Sequence, residues 1–215
     1  MAHPLETLLR DWPKPYLCDS DIAIFLPSSA NSRFSRVKRA LACHNLISAR
    51  KGLYIIGENL RGNRPLINPY EIAATLYSPS FISFESALSY HGLIPEAVHS
   101  ITCASTKRKK SYTTPIGYFT YQTVPKMRFY EEVERISQNN SEFFMAKPWR
   151  AICDYIYCNK LKWTNLSPLH KSLRIELEEL PPLSHETKNS LINYYQNTRI
   201  KLFLSNVYQE MNYEH

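Results

Sequence analysis

Leu5, Leu8, Leu9 and Trp12 repeat at the spacing of one helical face, and Pro13 and Pro15 stop the pattern, which predicts a first helix. A second, barely two turns long, is predicted with Asp19 or Ser20 as cap and Ile22, Phe25 and Leu26 facing inward before Pro27, Ser28 and Ser29 break the chain. The third opens near Ser28 or Ser29 and sets Ala30, Phe34, Val37 and Leu41 on one stripe. That leaves Ser32, Ser35, Arg36, Arg39 and Cys43 on the opposite side, with Arg33 and Lys38 flanking. LISA and LYIIG then place apolar residues on either side of Arg50, Lys51 and Gly52, the pattern of a hairpin whose turn glycine supplies a positive φ. After it, NLRGNRPLINP reads as a linker, with a domain boundary near residues 64–68.

Three short helices followed by a hairpin is the order of a winged helix-turn-helix. The remainder reads as mixed α and β. Asn68 and Pro69 suit the start of a helix over PYEIAATLY, FIS is short and extended, and Ser83 can cap FESALSYHGL, which Gly92 would terminate. SITCAST and GYFTYQTV are period-2 and predict two antiparallel strands around the basic loop KRKKSYTTPI. Pro148 can open a helix over KPWRAICDYIYC with Ala151, Ile152, Tyr155 and Ile156 inward. Ser184 caps a long terminal helical segment, broken or continuous. The expected fold is α+β: a winged helix-turn-helix over residues 1–65, then a mixed α/β domain over 66–215 ending in helices.

Charge sharpens the division. The 215 residues carry a net charge of +7, and residues 1–65 hold ten Lys or Arg against five Asp or Glu, so +5 of the +7 lies in under a third of the chain. Duplex DNA presents closely spaced phosphates, so a helix entering its major groove needs cations and small hydroxyl donors on one face and apolar anchors on the other. Ser32, Arg33, Ser35, Arg36, Lys38 and Arg39 are the candidates on the helix, and Arg50 and Lys51 at the hairpin tip are candidates for a wing beside it. Arg36 and Arg39 suit bidentate contacts to guanine or phosphate, and Ser32 and Ser35 suit phosphate oxygens or base edges. Lys107, Arg108, Lys109 and Lys110 form a second basic run that suits either phosphate or solvent.

Other chemistries find little support. No GxSxG accompanies Ser83, Glu85, Ser86 and His91, so Ser83 is expected as a cap and His91 as a partly buried, hydrogen-bonded side chain. Neither HExxH, CxxC nor a Cys-His cluster occurs among seven histidines and five cysteines, which predicts no metal, no cofactor and reduced thiols. ELEEL lacks the lysine of a D...ExK nuclease site, the GS motif and paired aspartates of a nucleotidyltransferase are missing, and Asp154 has no spaced second carboxylate, so a structural hydrogen bond is its expected role. A catalytic role is therefore not expected. Neither an apolar run long enough to span a membrane nor a secretory signal is present, which predicts a cytoplasmic protein.

The motifs also carry a resemblance. RKGLYII (50–56), NPYEIAATLYSPSFISFESALSYHGLIPE (68–96), SITCASTKRKK (100–110) and FMAKPWRAICDYIY (144–157) resemble AbiEi-type antitoxins, the regulators of type IV toxin-antitoxin systems associated with phage defence. The likeness extends over most of the chain, and the second stretch is its most specific part. It implies a winged helix that represses its own promoter, usually at inverted repeats and with dimerisation on DNA as an option. It also implies a C-terminal domain that counteracts a cognate nucleotidyltransferase toxin, with or without direct contact. By position, the DNA-contacting residues are those of the 28–43 helix and the Arg50–Lys51 wing. Trp149 and Arg150 depart from the family, standing where an acidic-basic pair is expected before Ala151. Two readings stay beside this one: a winged-helix module that binds an acidic protein, and a plain regulator without antitoxin activity.

Overall fold

The computed structural model describes residues 4–62, 67–95, 99–138 and 141–213, without the side chains of Arg61 and Tyr213. It is α+β, and its residues fall into two compact units. The first runs to Leu76 and includes Thr113–Gly117; the second holds Tyr77–Tyr112 and Tyr118 onward. The expected boundary after residue 65 lies among positions 63–66, outside the described residues.

In the first unit the order is α1 (Pro4–Asp11), β1 (Tyr16–Cys18), α2 (Asp19–Phe25), α3 (Ala30–Ala42), β2 (Leu46–Arg50), β3 (Leu53–Ile56), α4 (Glu58–Arg61) and α5 (Pro69–Leu76). The strands form an antiparallel sheet in the order β1-β3-β2. Strand β1 is absent from the sequence reading, which passes from the first helix to the second; YLC is too short to show a period. The start of the expected linker, Asn59 to Arg61, is helical instead. Leu5, Leu9, Leu17, Ile22, Leu26, Val37, Ala40, Leu46 and Ile56 make the core, each larger side chain contributing about 1.5–3 kcal/mol by leaving water.

Three expected inward positions are corrected. Ala30 is exposed, Phe34 is 71% exposed and Phe25 56% exposed. Helix α3 buries Val37 and Ala40, with Arg33, Arg36 and Leu41 half-buried beside them. The spacing 33, 36, 37, 40 satisfies the helical period as well as 30, 34, 37, 41 does, and long arginine stems can line apolar surface while their heads reach polar groups. The helix is therefore rotated from the expected setting. Residues in the turn before it do as predicted: Ser29 is the cap, its hydroxyl accepting from the Ser32 amide at 3.2 Å.

The second unit is built on a six-stranded sheet of order β6-β7-β5-β4-β9-β8. Its strands are β4 (Ser80–Ile82), β5 (Ser100–Ser105), β6 (Lys110–Thr114), β7 (Gly117–Thr123), β8 (Val133–Gln138) and β9 (Ser141–Ala146). Helices α6 (Phe84–Tyr90) and α7 (Pro148–Cys158) lie against it, and α9 (His185–Tyr195) and α10 (Thr198–Tyr213) pack on α7. A short α8 (Ser167–Leu173) and a 3-10 turn (Leu177–Glu179) connect them. Strand β4 is buried at every position, pairing antiparallel with β5 and parallel with β9.

Strands β5 and β7 are parallel, Thr102 opposite Thr120, and not antiparallel as expected. The intervening loop supplies its own strand: KSYTT alternates and forms β6, so β7 is adjacent to β6 as well as to β5. The β8 and β9 pair has no counterpart in the sequence reading. Among the described residues no helix is long and apolar enough to cross a membrane.

Candidate nucleic-acid interface

The eight basic and hydroxyl residues proposed for DNA contact separate into two groups. On α3, Ser35, Lys38 and Arg39 are exposed. Ser32 is half-buried at the first turn, where its amide is taken by the Ser29 cap. Arg33 is half-buried and its guanidinium turns back to donate to the Ser28 carbonyl. Arg36 is half-buried and shares a shallow cleft with Arg39, Glu6 and Asn45, and Asn45 donates to the Glu6 carboxylate at 3.3 Å.

The hairpin divides in the same way. Lys51 is exposed at the turn and Gly52 has φ +77°, as its role requires. Arg50 is half-buried, and its guanidinium donates to the Thr75 carbonyl on α5 at 3.0 Å and to the Lys51 carbonyl at 2.9 Å. The Arg50 Nε is buried and has no hydrogen-bond partner among the described residues. Its charge holds α5 to the hairpin, whereas Lys51 offers its ammonium to solvent.

Two outward residues of α3 escape the sequence reading. Asn31 and Phe34 are exposed on the face that carries Ser35 and Lys38. The signal for Phe34 was obscured because an aromatic at helical spacing reads as core. Asn31 carried no charge to draw attention.

The run Lys107 to Lys110 is not one patch. All four side chains are exposed, but Lys107 and Lys110 place their ammonium groups 5.4 and 5.9 Å from the centre of the Tyr77 ring, and Lys110 lies 5.1 Å from that of Tyr112. Such cation–π contacts fix a lysine without neutralising it. Tyr77 donates to the Arg108 carbonyl at 3.0 Å, which holds the loop backbone. Lys109 lies instead on the wall of a cavity with Cys158 and Asn159.

Residues of SFESALSYHGL are tied into the second unit. Ser83 sits at the N-cap position of α6, but its hydroxyl makes no capping bond and donates to Asp154 at 2.7 Å, correcting the expected cap. Ser86 donates to the Ser100 carbonyl at 3.1 Å. His91 is mostly buried at the helix end, with Nε2 2.9 Å from the Ala146 carbonyl oxygen, as expected. Asp154 also accepts from the Tyr195 hydroxyl at 2.6 Å and from Arg150 Nε at 3.2 Å. Arg150, fully buried, donates further to the Glu131 carbonyl at 2.6 Å and the Tyr194 hydroxyl at 2.7 Å. Burial by itself disfavours the Arg150 charge, yet Asp154 together with Tyr195 and Tyr194 more than offsets it, and the guanidinium holds its proton more tightly than usual.

Cys103 and Cys153 are buried, Cys18 and Cys158 half-buried and Cys43 exposed, all as free thiols. Among the described residues no three His, Cys, Asp or Glu side chains group as a metal site. No family model matches the chain, and no curated protein matches it.

Proposed function

We propose that the first unit is a winged helix-turn-helix that binds double-stranded DNA, and that the chain is a non-catalytic regulator and antitoxin of the AbiEi type. The observation that carries the DNA reading is the outward face of α3, where Asn31, Ser35, Lys38 and Arg39 stand exposed on a helix anchored by Val37 and Ala40. The succession α1, β1, α2, α3, β2, β3 and the antiparallel β1-β3-β2 sheet are consistent with that fold, with α3 as recognition helix and the β2–β3 turn as wing. Asn31 suits adenine, Arg39 suits guanine, and Phe34 suits a thymine methyl; Lys38 and Lys51 suit phosphates.

Repression of its own promoter and neutralisation of a nucleotidyltransferase toxin rest on the sequence resemblance, and action in the cytoplasm belongs to that same reading. A second reading draws on Ile24, Phe25 and Phe34, exposed at 71%, 56% and 71%: a protein-interaction module using α2 and α3. Anisotropy titration of the full chain with its promoter duplex and with random duplex, over a series of salt concentrations, separates the two. Phosphate binding weakens steeply with salt, and the variant carrying Lys38→Ala and Arg39→Ala is expected to bind the promoter duplex more weakly and to lower the log–log slope by about 1, near 0.9 for the lost Lys38 phosphate contact. Unchanged affinity and slope in that variant would overturn the recognition-helix assignment. Growth rescue on co-expression with a neighbouring nucleotidyltransferase tests the antitoxin reading separately.

A further inference from the structure

Two adjoining cavities in the second unit, of about 490 and 390 Å³, share Glu85 and Thr102 as walls. Either is of ligand size. The floor of the first is one face of β7: Tyr118, Thr120 and Gln122 alternate onto it, while Phe119 and Tyr121 are buried on the other face. Thr102 is already bonded, donating to the Ser83 carbonyl at 2.7 Å and accepting from the Ser86 amide at 3.0 Å. Thr120, Gln122 and Ser111, by contrast, use their side chains in no hydrogen bond among the described residues.

Charge is unevenly distributed between the lobes. Lys109 lines only the first, and its ammonium works against the rise that burial imposes on the Cys158 thiol in the same wall. Lys110 borders this lobe too, but its ammonium is occupied over Tyr112 and Tyr77. Glu85 lines both lobes. The second lobe adds Ile94, Leu173 and the Tyr155 ring, with Ser172 exposed at its edge. Cation, then carboxylate, then an apolar and aromatic recess is an order that matches phosphate, sugar diol and base.

We propose that these joined cavities bind a nucleoside phosphate, with Lys109 and Ser111 at the phosphate, Glu85 accepting from ribose hydroxyls, and Tyr155, Ile94 and Leu173 enclosing the base. Aromatic rings receive any base by its face, and a hydroxyl such as that of Ser172 can select its edge. This site is independent of the DNA-binding reading. Calorimetric titration of the full chain without DNA, using AMP, GMP, CMP and UMP, their nucleosides, and inorganic phosphate, tests it. At least one mononucleotide is expected to saturate the protein more tightly than its nucleoside or phosphate. Lys109→Ala is expected to weaken that mononucleotide about tenfold and leave the nucleoside unchanged. Ser172→Trp, filling the recess from an exposed position, is expected to remove both, with the melting temperature of each variant within a few degrees of the parent. Absence of saturable binding by all four mononucleotides, equal binding of inorganic phosphate, or indifference to both substitutions would overturn the proposal.

Discussion

Asp154 is a point of convergence for buried donors of the second unit. Its carboxylate accepts from Ser83, Arg150 and Tyr195, and all of these bonds are buried. A buried ion pair adds little beyond an apolar equivalent, because desolvation cancels much of the attraction, but removing one partner leaves a naked charge. Asp154→Ala is therefore expected to cost about 3–5 kcal/mol in urea-induced unfolding. Ser83→Ala, which removes one hydrogen bond to the carboxylate, is expected to cost about 1.5–3 kcal/mol. Equal losses in the two variants would mean that Arg150 finds another partner. The sequence reading assigns Asp154 a structural hydrogen bond, and it has one. Its partners at positions 83 and 195 were not legible, since a contact across 71 or 41 residues leaves no local period or cap signal.

At the scale of elements, local signals were readable and long-range pairings were not. Asn68 ahead of Pro69, Pro148 opening α7 and Ser184 capping α9 are decided within four residues, and each appears where expected: the Tyr70 amide donates to Asn68 at 3.0 Å and the Thr187 amide to Ser184 at 3.0 Å. The parallel pairing of β5 with β7 depends on which strand neighbours which, and an alternating pattern is silent on that. The hairpin β2–β3 shows the same limit at a candidate site residue. Arg50 looks like a wing cation in sequence, yet it bonds to the last turn of α5. Arg50→Ala is accordingly expected to lower the stability of the full chain by about 1–3 kcal/mol while leaving the salt slope of DNA binding unchanged, whereas Lys51→Ala should do the opposite. A lowered slope for Arg50→Ala at constant stability would return that guanidinium to the interface.

For the whole molecule, alkaline pH acts on both units in the same direction. In the first, burial and then the Asp19 hydrogen bond push the Tyr54 phenol up to about 12. In the second, burial and then Asp154 push the Cys158 thiol up to about 12, and burial raises Cys103, Cys153 and Tyr195 as well. Each of these groups is neutral in the fold and ionises more readily once unfolded, where thiols and phenols titrate near 9.0 and 10.0. As pH rises past those values the unfolded chain releases protons that the folded chain retains, so stability falls with pH by linkage. Full stability is thus expected below about pH 8.5, with the urea midpoint declining through pH 9 to 11 at a constant m-value. Cys103→Ala and Cys153→Ala together remove two of the thiols that ionise on unfolding, so the decline just above pH 9 should flatten in that variant even though its midpoint starts lower. A midpoint that stays level from pH 8 to 11, or a slope untouched by loss of those thiols, would mean that the buried thiols and phenols do not govern the alkaline limit.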